Sequence, residues 1–283
     1  MNRFEFKKEV LDSDLCPDNF DKIYDEFCRF QDEAIRTLNE FHRVCENNGV
    51  RYQLAYGSLL GAIRDNGQIP WDYDIDVFVP YNEKDKLIQV LRKDLDDNYY
   101  FYCPEQDEKC RHFIMRLAPK EYKTNWLHVD VFYVIGAPED AIERNQFAKE
   151  MIKFFKLRYF KLVLYKDLPK MKSRIKIFFR KILIIPITVT SITKRMKEIC
   201  ERYDFLKSKI CIAQAGGYNN HAYEVKKLWD TMLFKTEIGT FRITRNYDYV
   251  LKIMYGDYLK IYPLKNRLDE MLHHYYLLTG EKN

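Results

Sequence analysis

The hydrophobic positions in the first half of the chain follow a helical period first and a strand period afterwards. Across residues 18–48, Phe27, Ala34, Leu38 and Phe41 recur at helical spacing with charged residues between them. Side chains at this spacing share one face of a helix, so the pattern predicts one or two amphipathic helices. Later runs predict strands over 50–56, 74–79, 99–102, 112–117 and 127–133, and helices over 59–64 and 83–95. Such alternation is typical of an α/β or α+β core.

The second half of the chain is helical in pattern for the most part. Residues 140–165 contain no Gly or Pro, which predicts one long helix. Residues 234–243 predict a short hairpin with Gly239 as its turn. Further helices are predicted over 171–185, 191–203, 247–254 and 267–278. The change of texture near residue 140 divides the chain into a core region, 1–140, and a mostly helical region, 141–283.

Composition indicates a globular protein with an uneven distribution of charge. The 283 residues are 47% hydrophobic and 31% charged, with a formal net charge of +5. Residues 151–200 carry 14 Lys or Arg against two acids, Asp167 and Glu198, so the rest of the chain is net acidic. Seven scattered cysteines without zinc spacing favour reduced thiols in a cytoplasmic protein. The sequence predicts neither a secretory signal nor a membrane-spanning helix.

Two carboxylates at the start of one predicted strand carry the first chemical signal. Asp74 and Asp76 flank Ile75, and alternate side chains of a strand share a face, so the two acids point the same way. Like charges held this close repel each other unless a cation lies between them. Carboxylate oxygens are ligands that Mg²⁺ prefers. The pair therefore indicates a metal site, and the alternative is a solvated strand edge.

A small dipeptide upstream of these acids adds a second signal. Gly57-Ser58 follows an apolar run and precedes the predicted helix over 59–64. Small residues there let the backbone approach a phosphate, and the N-terminal N–H groups of a helix attract anions. A phosphate-binding turn together with metal-binding carboxylates is typical of phosphoryl transfer.

The order of these motifs resembles the LicD family. The similarity is carried by GSLLGAIR over 57–64 and IPWDYDID over 69–76. Downstream, 128–132 is similar to the second acidic strand of that family and 255–258 to a late motif. The resemblance extends from about residue 30 to residue 267 and is weakest between 140 and 228.

This resemblance implies an α+β fold, in which a nucleotidyltransferase-like mixed sheet is flanked by helices and 141–283 completes the active-site cleft. It implies transfer of phosphocholine or a similar phospho-substituent from a CDP-linked donor to a sugar hydroxyl of a cell-surface glycan, with release of CMP. The implied cofactor is Mg²⁺, with Mn²⁺ as an alternative. The acceptor would be a glycan or a lipid-linked oligosaccharide, and no nucleic acid is expected. The expected location is cytoplasmic, at the inner face of the membrane.

Two alternative functions stay open at this point. One is a nucleotidyltransferase that leaves the nucleotide on its acceptor and releases pyrophosphate. The other is a non-catalytic protein that binds glycans at the membrane surface.

The predicted catalytic and metal-binding residues are Asp74, Asp76 and Asp130. Asp130 lies among apolar residues of a predicted strand, where an acid is costly unless it is paired or bound to metal. It would act as a metal ligand, as a base toward the acceptor hydroxyl, or as both. His128 is interpreted as packed on the face opposite Asp130.

The predicted substrate-binding residues are Gly57, Ser58, Arg64, Asp72, Arg116 and Asp257. The two arginines are chosen because a guanidinium matches phosphate oxygens in a bidentate way. Asp72 shares the alternation of the metal pair and would support it. Asp257 would contact the acceptor, or else would be a solvated residue after a helix end.

The chain departs from the family pattern at three places. Asp65 stands where the family has His, Tyr73 replaces the middle Asp of a triple, and 132–135 read FYVI. Tyr73 alternates away from Asp74 and Asp76, so the metal pair is unaffected. Asp65 introduces an anion, which bears on the substituent or the acceptor more than on the chemistry.

Residues 151–197 combine basic and apolar side chains densely enough to predict contact with an anionic membrane surface. The alternative is an ordinary helix that packs its apolar side on the core. The basic residues concerned are Lys170, Lys172, Arg174, Lys176, Arg180 and Lys181.

Overall fold

The structure is a computed structural model that describes residues 1–111, 113–122, 127–165, 171–214 and 221–280. Seven strands of this described part form one mixed sheet. They are β1 (Gln53–Leu54), β2 (Ile75–Pro80), β3 (Tyr99–Tyr102), β4 (Met115–Pro119), β5 (Val129–Ala137), β6 (Ile210–Ala213) and β7 (Ala222–Glu224).

The central strand of the sheet is β5. It pairs in parallel with β2 along one edge. The first half of β5 pairs antiparallel with β4 and its second half with β6. The spatial order is β1-β2-β5-β4-β3, with β7 beside β6. A hairpin, β8 (Thr231–Thr236) and β9 (Gly239–Thr244), forms a separate small sheet.

Helices surround the mixed sheet. They are α1 (Arg3–Leu11), α2 (Phe20–Asn47), α3 (Tyr56–Leu60), α4 (Lys84–Asp94), α5 (Ala141–Leu162), α6 (Met171–Leu183), α7 (Val189–Glu201), α8 (Val225–Leu228), α9 (Tyr247–Tyr255) and α10 (Leu264–Thr279). A π-helical turn, Gly61–Asp65, continues α3, and a 3₁₀ turn, Tyr81–Glu83, precedes α4. The predicted fold, a mixed sheet flanked by helices, is confirmed.

Two hydrophobic clusters hold the helices to the sheet. The long helix α2 lies against β2, β4 and β5 and buries Phe27, Ala34, Leu38 and Phe41, as its period predicted. At the other end, α5 and α7 cover the second half of β5 through a cluster that includes Phe147. The sheet is thereby buried around the row of β5 that carries Asp130.

Several boundaries differ from the predictions. The strand predicted over 50–56 is reduced to β1, because the chain already turns into α3 at Tyr56. The strand predicted over 112–117 begins at Met115, and residue 112 lies outside the described residues. The sequence patterns did not predict α1, β6 or β7. The last two strands come from 141–283, so that region contributes to the sheet as well as to the helices.

The segment between α3 and β2 folds back on the helix. The carbonyl oxygen of Gly61 accepts a hydrogen bond from the Gly67 N–H at 3.1 Å. A Cβ at Gly61 would lie 2.6 Å from the Gly67 carbonyl oxygen, closer than real Cβ contacts allow. Gly61 is therefore required for this approach of backbone to backbone. We call residues 66–72 the arm, because they carry the chain from α3 to the acidic strand β2.

Candidate active site

The acidic residues meet in one row of side chains across the sheet. The parallel register of β2 and β5 sets Asp76 beside Asp130. The antiparallel register of β4 sets Arg116 on the other side of Asp130, and β3 adds Tyr102 beside Arg116. Residues directly opposite one another on paired strands share a face. The sheet thus presents an ordered sequence of charge: carboxylate, carboxylate, guanidinium.

The β2 side of this row concentrates negative charge. Asp74 lies in the extended segment just before β2, and both Asp74 and Asp76 are partly buried. Burial, followed by repulsion from Asp72, raises the pKa of Asp74. Burial, followed by repulsion from Asp74 and Asp130, raises the pKa of Asp76 well above its usual range. Among the described residues, no Lys, Arg or His nitrogen lies within salt-bridge distance of either acid.

Asp130 is in the opposite electrostatic situation. Its Oδ1 accepts a hydrogen bond from Arg116 Nε at 2.7 Å and lies 3.2 Å from His128 Nε2. Burial alone would raise the pKa of Asp130, but the hydrogen bond from His128 and the charge of Arg116 hold this pKa below its usual value. Asp130 is therefore a weak base in this arrangement.

The interpretation of His128 as lying on the face opposite Asp130 is wrong. Residues two apart in an extended chain share a face, and the buried His128 ring contacts the Asp130 carboxylate. The shared face could have been read from the sequence, since 128 and 130 are two positions apart in the strand predicted over 127–133. His128 is thus a neighbour of the acidic row.

Asp72 lies just before the acidic strand β2. Its Oδ1 accepts a hydrogen bond from the Asp74 N–H at 3.1 Å and lies 3.9 Å from His274 Nδ1. Burial and the nearby Glu270 raise the pKa of Asp72 to about 7. The helix α10, on which His274 and Glu270 lie, was not predicted to reach the site. Its contribution comes from the far end of the chain and left no local sequence signal.

The Gly57-Ser58 turn contacts two of the acidic residues, Asp76 and Asp72. Ser58 Oγ accepts a hydrogen bond from the Asp76 N–H at 2.8 Å. A Cβ at Gly57 would lie 3.1 Å from Asp72 Oδ2, so the missing side chain leaves room for that carboxylate. Tyr56, just before Gly57, has φ of 43°, a left-handed conformation that a non-glycine residue seldom adopts. Such backbone strain is concentrated at functional sites.

Arg64 is held at the base of the arm. Its Nη2 lies 2.7 Å from Asp65 Oδ2, and its guanidinium lies 5.4 Å from the centre of the Trp71 ring. Asp65 is buried and also contacts the α-amino group of Met1 at 3.1 Å. The anion that departs from the family pattern is therefore neutralised inside the protein. In this arrangement Asp65 pairs with Arg64 and with the chain's α-amino group.

Residues that the sequence patterns did not indicate hold the arm in place. The buried amide of Gln31, on α2, donates to the carbonyl oxygens of Ile69 at 3.1 Å and Asp72 at 2.6 Å. Tyr24 donates from its hydroxyl to the carbonyl oxygen of Pro70 at 3.1 Å. These bonds satisfy buried backbone groups and fix the direction in which the chain enters β2.

The structure does not bring Asp257 to the acidic row. This residue lies in an exposed turn after α9. No hydrogen bond or ion pair between the described residues joins it to the other acids of the site. The residue of this motif that approaches the cluster is Tyr255. Burial, followed by the charges of Asp76 and Asp72, raises its pKa.

The chemistry of the acidic residues suits a hard divalent cation. Asp74 and Asp76 supply carboxylate oxygens from one stretch of the chain, burial and the charges of neighbouring acids raise their pKa values, and Asp130 stands beside them. Within the described ranges, no three His, Cys, Asp or Glu side chains already converge on one point. Arg116 and His128 hold Asp130 instead. The residues therefore fit a cation bound by the β2 pair, and Asp130 would have to loosen its contact with Arg116 to join them.

The chain is similar to one family model and to several known proteins. A family model described as "LicD/FKTN/FKRP, nucleotidyltransferase domain" matches residues 49–169. The chain is 23% identical over 275 residues to "Lipopolysaccharide cholinephosphotransferase LicD" of Haemophilus influenzae, which is 87% of this chain and 96% of that protein. Over 48 residues it is 53% identical to "Ribitol 5-phosphate transferase FKRP" of Homo sapiens, 16% of this chain and 10% of that protein. The matches confirm the predicted family resemblance and the predicted class of enzyme, a phosphotransferase.

Proposed function

Because residues 49–169 match the family model of the LicD nucleotidyltransferase domain, we propose that the protein transfers a phospho-substituent from a CDP-linked donor to a sugar hydroxyl and releases CMP. The substituent is phosphocholine or a related group such as ribitol phosphate, since the relatives carry these two activities in their names. The acceptor is a glycan of the cell surface, free or attached to a lipid.

One observation supports this proposal above the others: the in-register pairing of Asp76 with Asp130, with Asp74 two residues upstream. Three carboxylates on one face form a concentration of negative charge that a folded protein tolerates only at a cost. A function that brings a divalent cation to this face would explain the carboxylates, because the cation offsets their repulsion and binds phosphates. A purely structural strand would place apolar or hydroxyl side chains here.

The metal is proposed to be Mg²⁺ or Mn²⁺, held by Asp74 and Asp76 with Asp130 as the third carboxylate. When bound, it would neutralise charge on the attacking and leaving oxygens of an in-line displacement at phosphorus. Arg116, which Asp130 holds beside the site, would be placed to bind the donor phosphates in a bidentate way.

The remaining residues are proposed to position the two substrates. The Gly57-Ser58 turn holds the donor phosphates, with Ser58 also fixing β2 through the Asp76 N–H. Arg64 contributes positive charge from the base of the arm. Asp72 is better suited than Asp130 to accept the proton of the sugar hydroxyl, because a base with a pKa near 7 works best near neutral pH.

The first test is a search for the donor. Unfolding temperatures are measured with CDP-choline, CDP-ethanolamine, CDP-glycerol and CDP-ribitol, each with Mg²⁺ and with chelator. A donor at about 100 times its Kd adds about 2.7 kcal/mol of stability. We expect Mg²⁺-dependent stabilisation by at least one compound and none in the Asp74→Asn variant, with Asp85→Asn, an exposed acid, as the matched control.

Product analysis with the stabilising donor then identifies the reaction. CMP release that depends on Mg²⁺ supports the proposed transfer. Pyrophosphate release from a nucleoside triphosphate would support the alternative nucleotidyltransferase. A folded protein that no CDP compound stabilises would contradict the proposal and favour a non-catalytic glycan-binding role.

A further inference from the structure

The outward side of α6 is apolar. Met171, Ile175, Phe178 and Ile182 recur at intervals of four, three and four residues, so they form one stripe along the helix. Phe179 and Leu183 adjoin this stripe. All six side chains are between 45% and 78% exposed. We call these six residues the α6 ridge. A surface helix of a globular protein ordinarily turns such a stripe toward the core, and this one does the reverse.

Contacts on the opposite side of α6 fix this orientation. Ile177 and Ile184 are buried. The Arg180 guanidinium lies 4.4 Å from the centre of the Phe160 ring of α5. Lys181 Nζ donates to the carbonyl oxygen of Val163 at 2.8 Å. The helix therefore packs on α5 through one side, and the α6 ridge stays at the surface. An ordinary core helix, the alternative that the sequence left open, does not describe α6.

The charge along α6 has one sign. Lys172 and Lys176 are exposed on one flank of the helix. The sequence has no acidic residue between Asp167 and Glu198. Lys170, another basic residue of this segment, lies outside the described residues. An apolar stripe with a basic flank and no acids in its own segment matches a surface that is apolar inside and negative at its boundary.

We propose that α6 docks the protein on an anionic lipid bilayer, with the α6 ridge inserted at the boundary between headgroups and acyl chains. The helix has 13 residues, too few to cross a bilayer. No helix of the described residues is long and apolar enough to span one. An amphipathic helix that lies in the interface, held by apolar insertion and by lysines on the headgroups, is the geometry that remains.

A second copy of the chain is a poorer occupant of this surface. Two α6 ridges in contact would bring two acid-free basic segments together, and like charges at that distance repel. Anionic headgroups supply the opposite charge instead. This proposal does not depend on the proposed reaction, because it concerns binding alone.

Flotation with lipid vesicles tests the proposal on the full chain. Vesicles contain phosphatidylcholine alone or with about one third phosphatidylglycerol, at low salt, where attraction to anionic lipid is strongest. We expect the protein to float with anionic vesicles and to remain unbound with neutral ones. The variant Phe178→Ser/Ile182→Ser removes two residues of the α6 ridge and should weaken binding by about tenfold or more. Lys172→Glu/Lys176→Glu should do the same by reversing charge.

Matched controls separate a local site from a general effect. Phe4→Ser/Leu206→Ser removes exposed apolar residues elsewhere, and Lys235→Glu/Lys260→Glu makes the same change of net charge elsewhere. Both should bind as the wild type does. Circular dichroism confirms folding, and Leu183→Ser alone serves if the double variant does not fold.

Three results would overturn the proposal. The wild type could fail to bind anionic vesicles at low salt. The α6 variants could bind as tightly as their controls do. A concentration-dependent dimer that the Phe178→Ser/Ile182→Ser variant abolishes, without vesicle binding by the wild type, would assign the ridge to a second copy.

Discussion

Replacing either of two neighbouring acids by Asn should change the stability of the metal-free protein in opposite directions. Asp76 and Asp130 face each other in register, and both changes keep the size of the side chain. Asp76 has no described cationic partner, whereas Asp130 holds Arg116 and His128. We therefore expect Asp76→Asn to stabilise the fold and Asp130→Asn to destabilise it, although both should abolish turnover.

The size of each effect follows from the charges that are left behind. Two unit charges about 5 Å apart, roughly the spacing of paired strands, repel by about 3 kcal/mol at an effective dielectric constant of about 20. Asp76→Asn removes this repulsion with Asp130 and part of the repulsion with Asp74. The neutral Asn also avoids the desolvation penalty of a partly buried carboxylate, which adds to the gain in stability. We expect a net gain of about 1–3 kcal/mol. Asp130→Asn leaves the Arg116 guanidinium buried without its counter-charge, which should cost about 3 kcal/mol.

The pH dependence has a definite sign for each acid. The folded-state pKa of Asp76 is raised. The loss of stability that its ionisation causes is therefore absent at acidic pH and grows as the pH rises above the unfolded pKa. The folded-state pKa of Asp130 is lowered, so its contribution is present at neutral pH and is lost as the pH falls through that pKa. The difference in unfolding free energy between each Asn variant and the wild type should therefore be larger in magnitude at about pH 8 than at about pH 4.

Urea unfolding in the presence of chelator, followed by circular dichroism, measures these free energies. Asp85→Asn, at an exposed position, is the control and should stay within about 0.5 kcal/mol of the wild type. If both site variants are destabilised by more than about 1 kcal/mol with unchanged m values, Asp76 has a stabilising partner and the reasoning fails.

Three further changes test the surroundings of the site. Gly61→Ala places a Cβ 2.6 Å from the Gly67 carbonyl oxygen and should cost about 1–3 kcal/mol in urea unfolding; an unchanged midpoint would show that the arm yields freely. Ser58→Ala leaves the Asp76 N–H without its acceptor and should cost about 1–3 kcal/mol by thermal unfolding, whereas Ser58→Thr should largely retain the bond. Mg²⁺ should raise the unfolding temperature of the wild type but not of Asp74→Asn, and equal shifts in the two proteins would place the cation elsewhere.

The sequence predicted the local elements of the site better than their assembly. The same-face geometry of Asp74 and Asp76 follows from strand alternation alone, and the turn at Gly57-Ser58 follows from small residues after an apolar run. The pairing of β2 with β5 could not be derived, because a strand period says which side chains share a face and not which strand lies beside it. The engagement of Asp130 by Arg116 depends on the β4 register and was missed for the same reason.

Short elements and distant contacts account for the other differences. β6 has four residues and β7 has three, too few to display a period. The amide of Gln31 acts on the arm from about forty residues away, and His274 acts from the last helix. A polar residue inside a helical pattern predicts an exposed position, so nothing local distinguishes a buried Gln that holds carbonyl groups of the arm from a solvated one.

The parallel pairing of β2 and β5 has a consequence for how this protein can vary over evolution. The register joins 75–80 to 129–134, and the connection between them, 81–128, does not enter that alignment. Insertions or deletions in most of this connection would leave Asp76 opposite Asp130. A single residue gained inside either strand would turn one carboxylate to the other face. Lineages are therefore free to remodel the parts of the connection outside α4, β3 and β4, and with them the surface offered to a new acceptor, while the acidic pair persists unchanged.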